Sequence, residues 1–246
     1  MEQSRTFSIL DSVDSTNNYA MGQVHAGLAK HGMAWFANTQ SVGKGQRGKA
    51  WLSNPCDNII LSIVIQPNPG DDPSRFFYPA TIALTCITFL HSLTGENFTI
   101  KWPNDVYWGD RKAGGILIEN VIRGTKWKWS VIGIGININQ TRFPVELNNP
   151  VSIKNICGRE YSPISLAKQL HVYILNRLEQ NIQKMEMSII AEYNVFLYKK
   201  NAEVKLRKNK LVFKTHIKEV DLLGNLHTKD AIERSFAFGE VEWVIG

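Results

Sequence analysis

The stretch FTIKWPNDVYWGDRKAGGILIENVIRGTKWKWSVIGIGININ, residues 98–139, decides the fold. Runs rich in Ile, Val, Trp and Tyr are separated by the turn clusters Gly109-Asp110-Arg111-Lys112 and Arg123-Gly124-Thr125. They predict three strands: FTIKW continuing through PNDVYW, then AGGILIENVI, then KWKWSVIGIGININ. Connections this short make hairpins, whereas a parallel pair needs a crossover of a dozen or more residues, so the sheet is mainly antiparallel and not a βαβ series.

Outward from this centre the pattern stays mixed. Pro73 opens a helical segment to about Leu93, with Phe77, Ala80, Leu84, Ile87 and His91 at three- or four-residue spacing. Asn58–Gln66 (NIILSIVIQ) reads as a buried strand, Met33–Gln40 as another, and Phe7–Leu10 as a short first strand. Between the last two, DSVDSTNNYA begins a helix that Asp14, Ser15 or Thr16 can cap. Pro163–Lys200 turns helical, as two helices, and from Asn201 short strands alternate around the turn LLGNL. The expected fold is α+β: residues 1–200 with a mainly antiparallel sheet and packed helices, and residues 201–246 as a small β-barrel.

With 246 residues, 43% hydrophobic and 20% charged, the chain can bury a sizeable core, which excludes a disordered or fibrous class. A formal charge of +6 favours an anionic partner without choosing among nucleic acid, nucleotide and acidic protein surface. Cys56, Cys86 and Cys157 lack disulfide or metal spacing and suit a reducing cytosol. The N-terminus has no apolar signal run. Tyr78–Leu93 is interrupted by Pro79, Thr81, Thr85, Thr88 and His91, and reads as too polar to span a bilayer. The expectation is a cytoplasmic protein without a membrane partner.

Gly43-Lys44-Gly45-Gln46-Arg47-Gly48 fits G-x-G-x-x-G and, with Lys49, nearly fits a P-loop. Both motifs require a helix directly after the loop. Here Ala50-Trp51-Leu52-Ser53-Asn54-Pro55 and a β-rich run follow, and Ala50 replaces the metal-binding hydroxyl. What remains is three glycines and the cations Lys44, Arg47 and Lys49 between two strands: an anion-approaching loop or an exposed basic hairpin.

Singly, the other pieces have ordinary uses: Asn104-Asp105 as a turn, Lys112 as a hairpin lysine, Ser15-Thr16-Asn17 as a helix cap, and Gly133 and Gly135 as a bulge. Jointly, DSTNNYA, TQSVGKGQRGKAW, KWPNDVYWGDRKAGGILIE and GIGININ, in this order, resemble the catalytic domain of the biotin–protein ligases over roughly the first 140 residues. The resemblance implies a class II aminoacyl-tRNA-synthetase-like domain with a small SH3-like barrel. It also implies an enzyme that forms biotinyl-5'-adenylate from ATP and biotin and passes biotin to a lysine of a carboxylase's biotin carboxyl carrier protein. Lipoate–protein ligation and non-catalytic biotin binding are the rivals. Only ten residues precede Asp11, so no DNA-binding domain is expected, and the chain is a monomer or a homodimer, with Lys126–Asn137 a possible edge for pairing.

Carried across, Ser15, Thr16, Asn17 and Gln40 match the biotin-head contacts. Gly43, Lys44, Gly45 and Gln46 match the loop over biotin, and Gly115, Gly133 and Gly135 the small residues on which its rings lie. Arg47, Gly48, Lys49, Trp51, Lys101, Asn104 and Asn137 match the ATP and adenylate side. Lys112 matches the lysine that holds the reacting carboxylate and phosphate. Such chemistry brings a carboxylate onto a negatively charged α-phosphorus, so fixed positive charge is needed there, with Mg2+ neutralising the departing pyrophosphate. Asp105 is the candidate to orient the acceptor amine or take its proton, and the candidate Mg2+ ligand.

The family loop most often reads G-R-G-R-R-G, whereas this chain has Lys44 and Gln46 at the first two arginines. Lys44 keeps the charge without the planar fork, and Gln46 loses the charge. The adenylate is therefore expected to leak somewhat faster from this protein than from its Lys44→Arg/Gln46→Arg variant. Release rates after single-turnover adenylation measure this, and equal or slower release from the unmodified protein refutes it.

Overall fold

The computed structural model describes residues 6–147, 149–181 and 186–244; residues 182–185 of the expected helical stretch and 245–246 of the expected C-terminal strands lie outside them. Its main sheet contains β1 (Phe7–Val13), β2 (Ala34–Gln40), β3 (Ile59–Ile65), β4 (Thr99–Lys101), β5 (Asp105–Trp108), β6 (Arg111–Arg123) and β7 (Lys126–Ile136), ordered β1-β2-β3-β7-β6-β5-β4. Only β1 and β2 pair in parallel; the other neighbours are antiparallel. The fold is thus α+β with a mainly antiparallel sheet, as the hairpin spacing implies.

Three expectations need correction. FTIKWPNDVYW makes two strands, because the chain reverses through Trp102-Pro103-Asn104, with a cis Trp102–Pro103 bond, and Lys101 pairs with Asp105. The second helix, α2 (Phe77–Thr94), begins after Pro73: the Asp72 carboxylate accepts from the Ser74 amide and hydroxyl at 2.8 and 2.7 Å, closing a local turn first. Finally, β7 lies between β3 and β6, so its Ser130–Ile136 stretch is paired on both sides and offers no free edge; the edge strands of the order are β1 and β4.

Strand side chains alternate between two faces. Phe36, Ile63, Ile65, Ile116, Ile132, Ile134 and Ile136 share the large core with α2, α4 (Pro163–Asn181) and α5 (Glu186–Val195). Trp35, Val64 and Val131 point the other way and pack on Ala20 and Val24 of α1 (Thr16–His25). α2 is long and apolar enough by composition to cross a bilayer, contrary to the reading of its threonines, but most of it is buried in this core. A short helix, α3 (Ile153–Cys157), was not anticipated. Its signal is the capping box in which Ser152 and Asn155 exchange side-chain and backbone hydrogen bonds.

The second sheet holds β8 (Glu203–Lys208), β9 (Leu211–Val220), β10 (Leu226–Lys229), β11 (Glu233–Phe236) and β12 (Glu242–Trp243), ordered β11-β10-β9-β8-β12 and antiparallel. The β9–β10 turn fastens it to the body. The Phe76 amide donates to Leu222 O at 3.0 Å, and Trp102 Nε1 donates to Gly224 O at 2.8 Å. Gly224 has φ +81°, and a methyl there would press on the Phe76 ring at 2.6 Å. Gly224→Ala combines left-handed strain with overpacking and is expected to cost about 2–4 kcal/mol. Urea denaturation measures it; a loss under about 0.5 kcal/mol, the ordinary range for surface changes, is the contrary result.

Candidate active site

On the α1 side of the sheet, the alternation that sends Ile132, Ile134 and Ile136 to the helices sends Gly133 and Gly135 to the opposite face. Register places Gly133 beside Ser62 and Leu117, and Gly135 beside Ile60 and Gly115. The result is a low floor across β3, β7 and β6. The expected open floor is nevertheless partly occupied. A methyl at Gly133 would overlap the Asn17 carboxamide, and one at Gly135 the Trp51 ring, so these two side chains use the room that the glycines leave.

One end of the floor is a polar nest. Ser15, Thr16 and Asn17, at the start of α1, are at most 3% exposed. Ser15 holds the N-cap position, yet its side chain makes no cap. Gln40 does that work from the end of β2: its Oε1 accepts from the Thr16 amide at 2.7 Å and the Thr16 hydroxyl at 3.2 Å. The Ser62 hydroxyl lies 2.6 Å from Asn17 Oδ1 and 2.8 Å from Thr16 Oγ1, and Asn17 Nδ2 donates to Glu119 at 2.7 Å. Sequence reasoning missed Ser62 and Glu119. Their signals were a lone polar residue inside an apolar strand and the glutamate that closes K-x-x-G-I-L-x-E.

At the other end stand the cations. Lys112 Nζ lies 2.6 Å from Asp105 Oδ1. The Lys112 backbone is held on both sides, to Asn149 O at 2.8 Å and from the Val151 amide at 2.9 Å. Lys101 is buried, donates to Tyr107 Oη at 3.1 Å, and sits 5.5 Å from the Trp243 ring of the second sheet. Residues 43–51 fold over this end as a closed hairpin: Gly45 N donates to Lys49 O at 2.6 Å and Trp51 N to Gly43 O at 2.9 Å, with Arg47 at φ 56° on the tip. Gly43 has no room for a side chain, since a methyl would strike the Trp51 carbonyl. No helix follows, in accord with the rejected P-loop and dinucleotide readings. Trp51 Nε1 is buried without a hydrogen-bond partner among the described residues, a donor left for something else.

Floor, nest, loop and second sheet enclose a cavity of about 720 Å3, within the usual range of small-molecule sites. Every residue singled out from the sequence lines it except Gly43 and Gly48, which shape the loop. Asn104 and Asn137 line it while committed to the scaffold: Asn104 Nδ2 donates to Ile116 O at 2.5 Å, and Asn137 Nδ2 to Val151 O at 3.1 Å.

The model of the biotin/lipoate A/B protein ligase family matches residues 9–137, slightly more than half of the chain and the whole of this floor and nest. The chain belongs to that family. It is 33% identical over 161 residues to a biotin–[acetyl-CoA-carboxylase] ligase of Paracoccus denitrificans, covering 63% of this chain and 65% of that protein. It is 33% identical over 142 residues to the bifunctional ligase/repressor BirA of Escherichia coli, covering 58% and 43%. The matched region is thus under two thirds of either relative. A biotin protein ligase from Aquifex aeolicus in complex with biotin and ATP superposes with a TM-score of 0.83 at 22% identity, over 98% of this chain and 99% of that one. One from Leishmania major with biotinyl-5-AMP gives 0.69 at 20%, over 98% and 99%. At these identities the likeness establishes the fold, second sheet included.

In this member of the biotin/lipoate ligase family, the cavity lining carries six cations (Lys44, Arg47, Lys49, Lys101, Lys112 and Arg207) against the carboxylates of Asp105, Glu146 and Glu242. The donor set does not make a protein-held magnesium site. Asp105 is paired with Lys112 in this structure, and no cluster of three His, Cys, Asp or Glu occurs among the described residues. Burial, with smaller contributions from Lys112 and Lys49, lowers the Lys101 ammonium to about 8, opposed by the attraction of Asp105. Burial likewise raises the Tyr107 phenol, which stays protonated as a partner for Lys101. Between pH 8 and the unfolded lysine value of about 10.4, the unfolded chain holds a proton on residue 101 that the folded chain has released. Stability from this group therefore rises with pH across that window and is poorest below it. Lys101→Met is expected to stabilise the unliganded protein by about 1–3 kcal/mol at pH 7 and to flatten its stability between pH 8 and 10. Denaturant melts of both proteins along that pH series provide the check; an unchanged slope contradicts the assignment.

Proposed function

We propose that this chain joins biotin to ATP as biotinyl-5'-adenylate, with release of pyrophosphate, and transfers the biotinyl group to one lysine of a biotin carboxyl carrier protein or domain. The observation that carries this reading is the polar nest of Thr16, Asn17, Gln40 and Ser62 opening onto the same floor as the Lys112–Asp105 pair. A ureido ring offers one carbonyl and two N–H groups at fixed positions, which suit such a nest. The dithiolane of lipoate offers none, so it has nothing to exchange for the hydrogen bonds that the nest makes within itself.

Each residue then has a physical task. Lys112 turns from Asp105 toward the biotin carboxylate and the α-phosphate, offsetting the repulsion between them. The carboxylate oxygen bonds to the α-phosphorus, and the pyrophosphate leaves with the electron pair of the broken bond. In the second half-reaction, the freed Asp105 carboxylate orients the acceptor lysine and takes its proton, which the unperturbed amine holds up to about pH 10.4. The amine attacks the biotinyl carbonyl, the amide forms, and AMP departs. Trp51 then covers the adenylate, a role supported by its unpartnered Nε1 and its ring 5.9 Å from Lys112 Nζ. The net charge of +6 favours the approach of an acidic carrier.

Biotin-dependent ATP–pyrophosphate exchange tests the first half, with lipoate in parallel. Exchange with biotin alone, reduced about 100-fold or more in Lys112→Ala, is the expected result. Exchange with lipoate but not biotin assigns the chain to the other branch of the family. For the second half, transfer from pre-formed adenylate should fall at least tenfold in Asp105→Asn. Full retention removes Asp105 from that role.

A further inference from the structure

Two guanidinium groups meet at the cavity, one from the glycine loop and one from the second sheet. Arg47 comes from the loop tip, and Arg207 from β8, where it is paired in register with Glu242 of β12. Arg47 Nη1 lies 3.5 Å from Glu242 Oε1, and Arg207 Nη1 lies 3.9 Å from Glu242 Oε2. All three side chains are about half exposed, at 45, 47 and 52%. Ion pairs so solvated and so long contribute little to stability. Packing does not account for this cluster either, since none of the three side chains belongs to the hydrophobic core.

We infer that Arg207, together with Arg47, binds the β- and γ-phosphates of ATP, and that Glu242 is an internal stand-in anion which holds both guanidiniums until the polyphosphate displaces it. The inference rests on the nucleotide reading of the cavity and names a residue of the second sheet for it. A planar guanidinium engages two phosphate oxygens at once, a better match than one carboxylate shared at 3.5 and 3.9 Å. The placement also separates tasks. Lys112 serves the α-phosphate, where the carboxylate oxygen bonds to phosphorus. The arginines hold the pyrophosphate, which receives the electron pair as the bond to its bridging oxygen breaks. Because one arginine stands on the loop and the other on the second sheet, polyphosphate rather than Glu242 becomes the bridge between them.

The test is calorimetric titration of the full chain with inorganic pyrophosphate and, separately, with ATP. Arg207→Ala is expected to weaken both by about tenfold, and Arg207→Lys by less. Glu242→Gln is expected to tighten both several-fold, because the internal competitor is gone. The opposite signs are the decisive feature: a purely structural latch would make Glu242→Gln as damaging as Arg207→Ala. Unaltered pyrophosphate and ATP affinity in Arg207→Ala, weaker binding in Glu242→Gln, or no pyrophosphate binding by the unmodified protein each overturns the inference. Circular dichroism checks that Arg207→Ala folds, and Glu242→Gln supplies the sign should it not. Biotin titration of the same samples keeps the two readings apart. Loss of biotin binding with the pyrophosphate responses intact would refute the biotin assignment and leave the phosphate site standing.

Discussion

A β-sheet has two faces and a side-chain period of two, and this molecule uses them for opposite ends. On one face the alternating isoleucines of β7 and their neighbours pack against α2, α4 and α5. On the other, the same alternation places glycine at 133 and 135, next to Gly115 of β6. A slip of one residue in β7 would bury the glycines and turn isoleucines into the cavity, so core and site share a single register. Every other part of the site is built on that floor: the nest at its α1 end, Lys112 and Asp105 at its β5–β6 end, and the glycine loop above.

The nest shows how a binding group is held ready. Gln40 satisfies the start of α1 in place of the ordinary N-cap side chain, so helix, strand end and Ser62 form one hydrogen-bonded unit. Asn17 extends it to Glu119, whose other oxygen is 3.8 Å from Lys44 of the loop. The loop therefore reaches the nest through Glu119 and the second sheet through Glu242. Neither contact is strong.

Positive charge is concentrated on the cavity lining, at a cost in desolvation. Lys101 is buried between Tyr107 and Trp243, and its lowered proton affinity expresses that cost. Trp243 ties the second sheet to this point, its Nε1 donating to Trp102 O at 3.3 Å and its ring tilted against Tyr198. The second sheet is in this way a wall of the cavity and not a remote appendage.

The sequence by itself determined what local chemistry decides. Turn clusters at 109–112 and 123–125 specify antiparallel hairpins, apolar runs specify buried strands, and the residues of the KWPND and G-x-G-x-x-G blocks, Gly43 and Gly48 apart, line one cavity. The missing helix after the glycine loop was also legible, from Pro55 and the β-rich run beyond it. Only the tertiary structure decided the rest. Ser62 meets Asn17 across 45 positions, Gln40 meets Thr16 across 24, and Arg47 meets Glu242 across 195. Asn17 and Trp51 fill the space above Gly133 and Gly135, and β7 lies inside the sheet instead of at its edge. The physical reason is common to all of these. Hydrogen bonding and packing between distant segments depend on strand order and register, which are set by burying the whole core at once, whereas turn propensity and side-chain period act within a few residues of the chain.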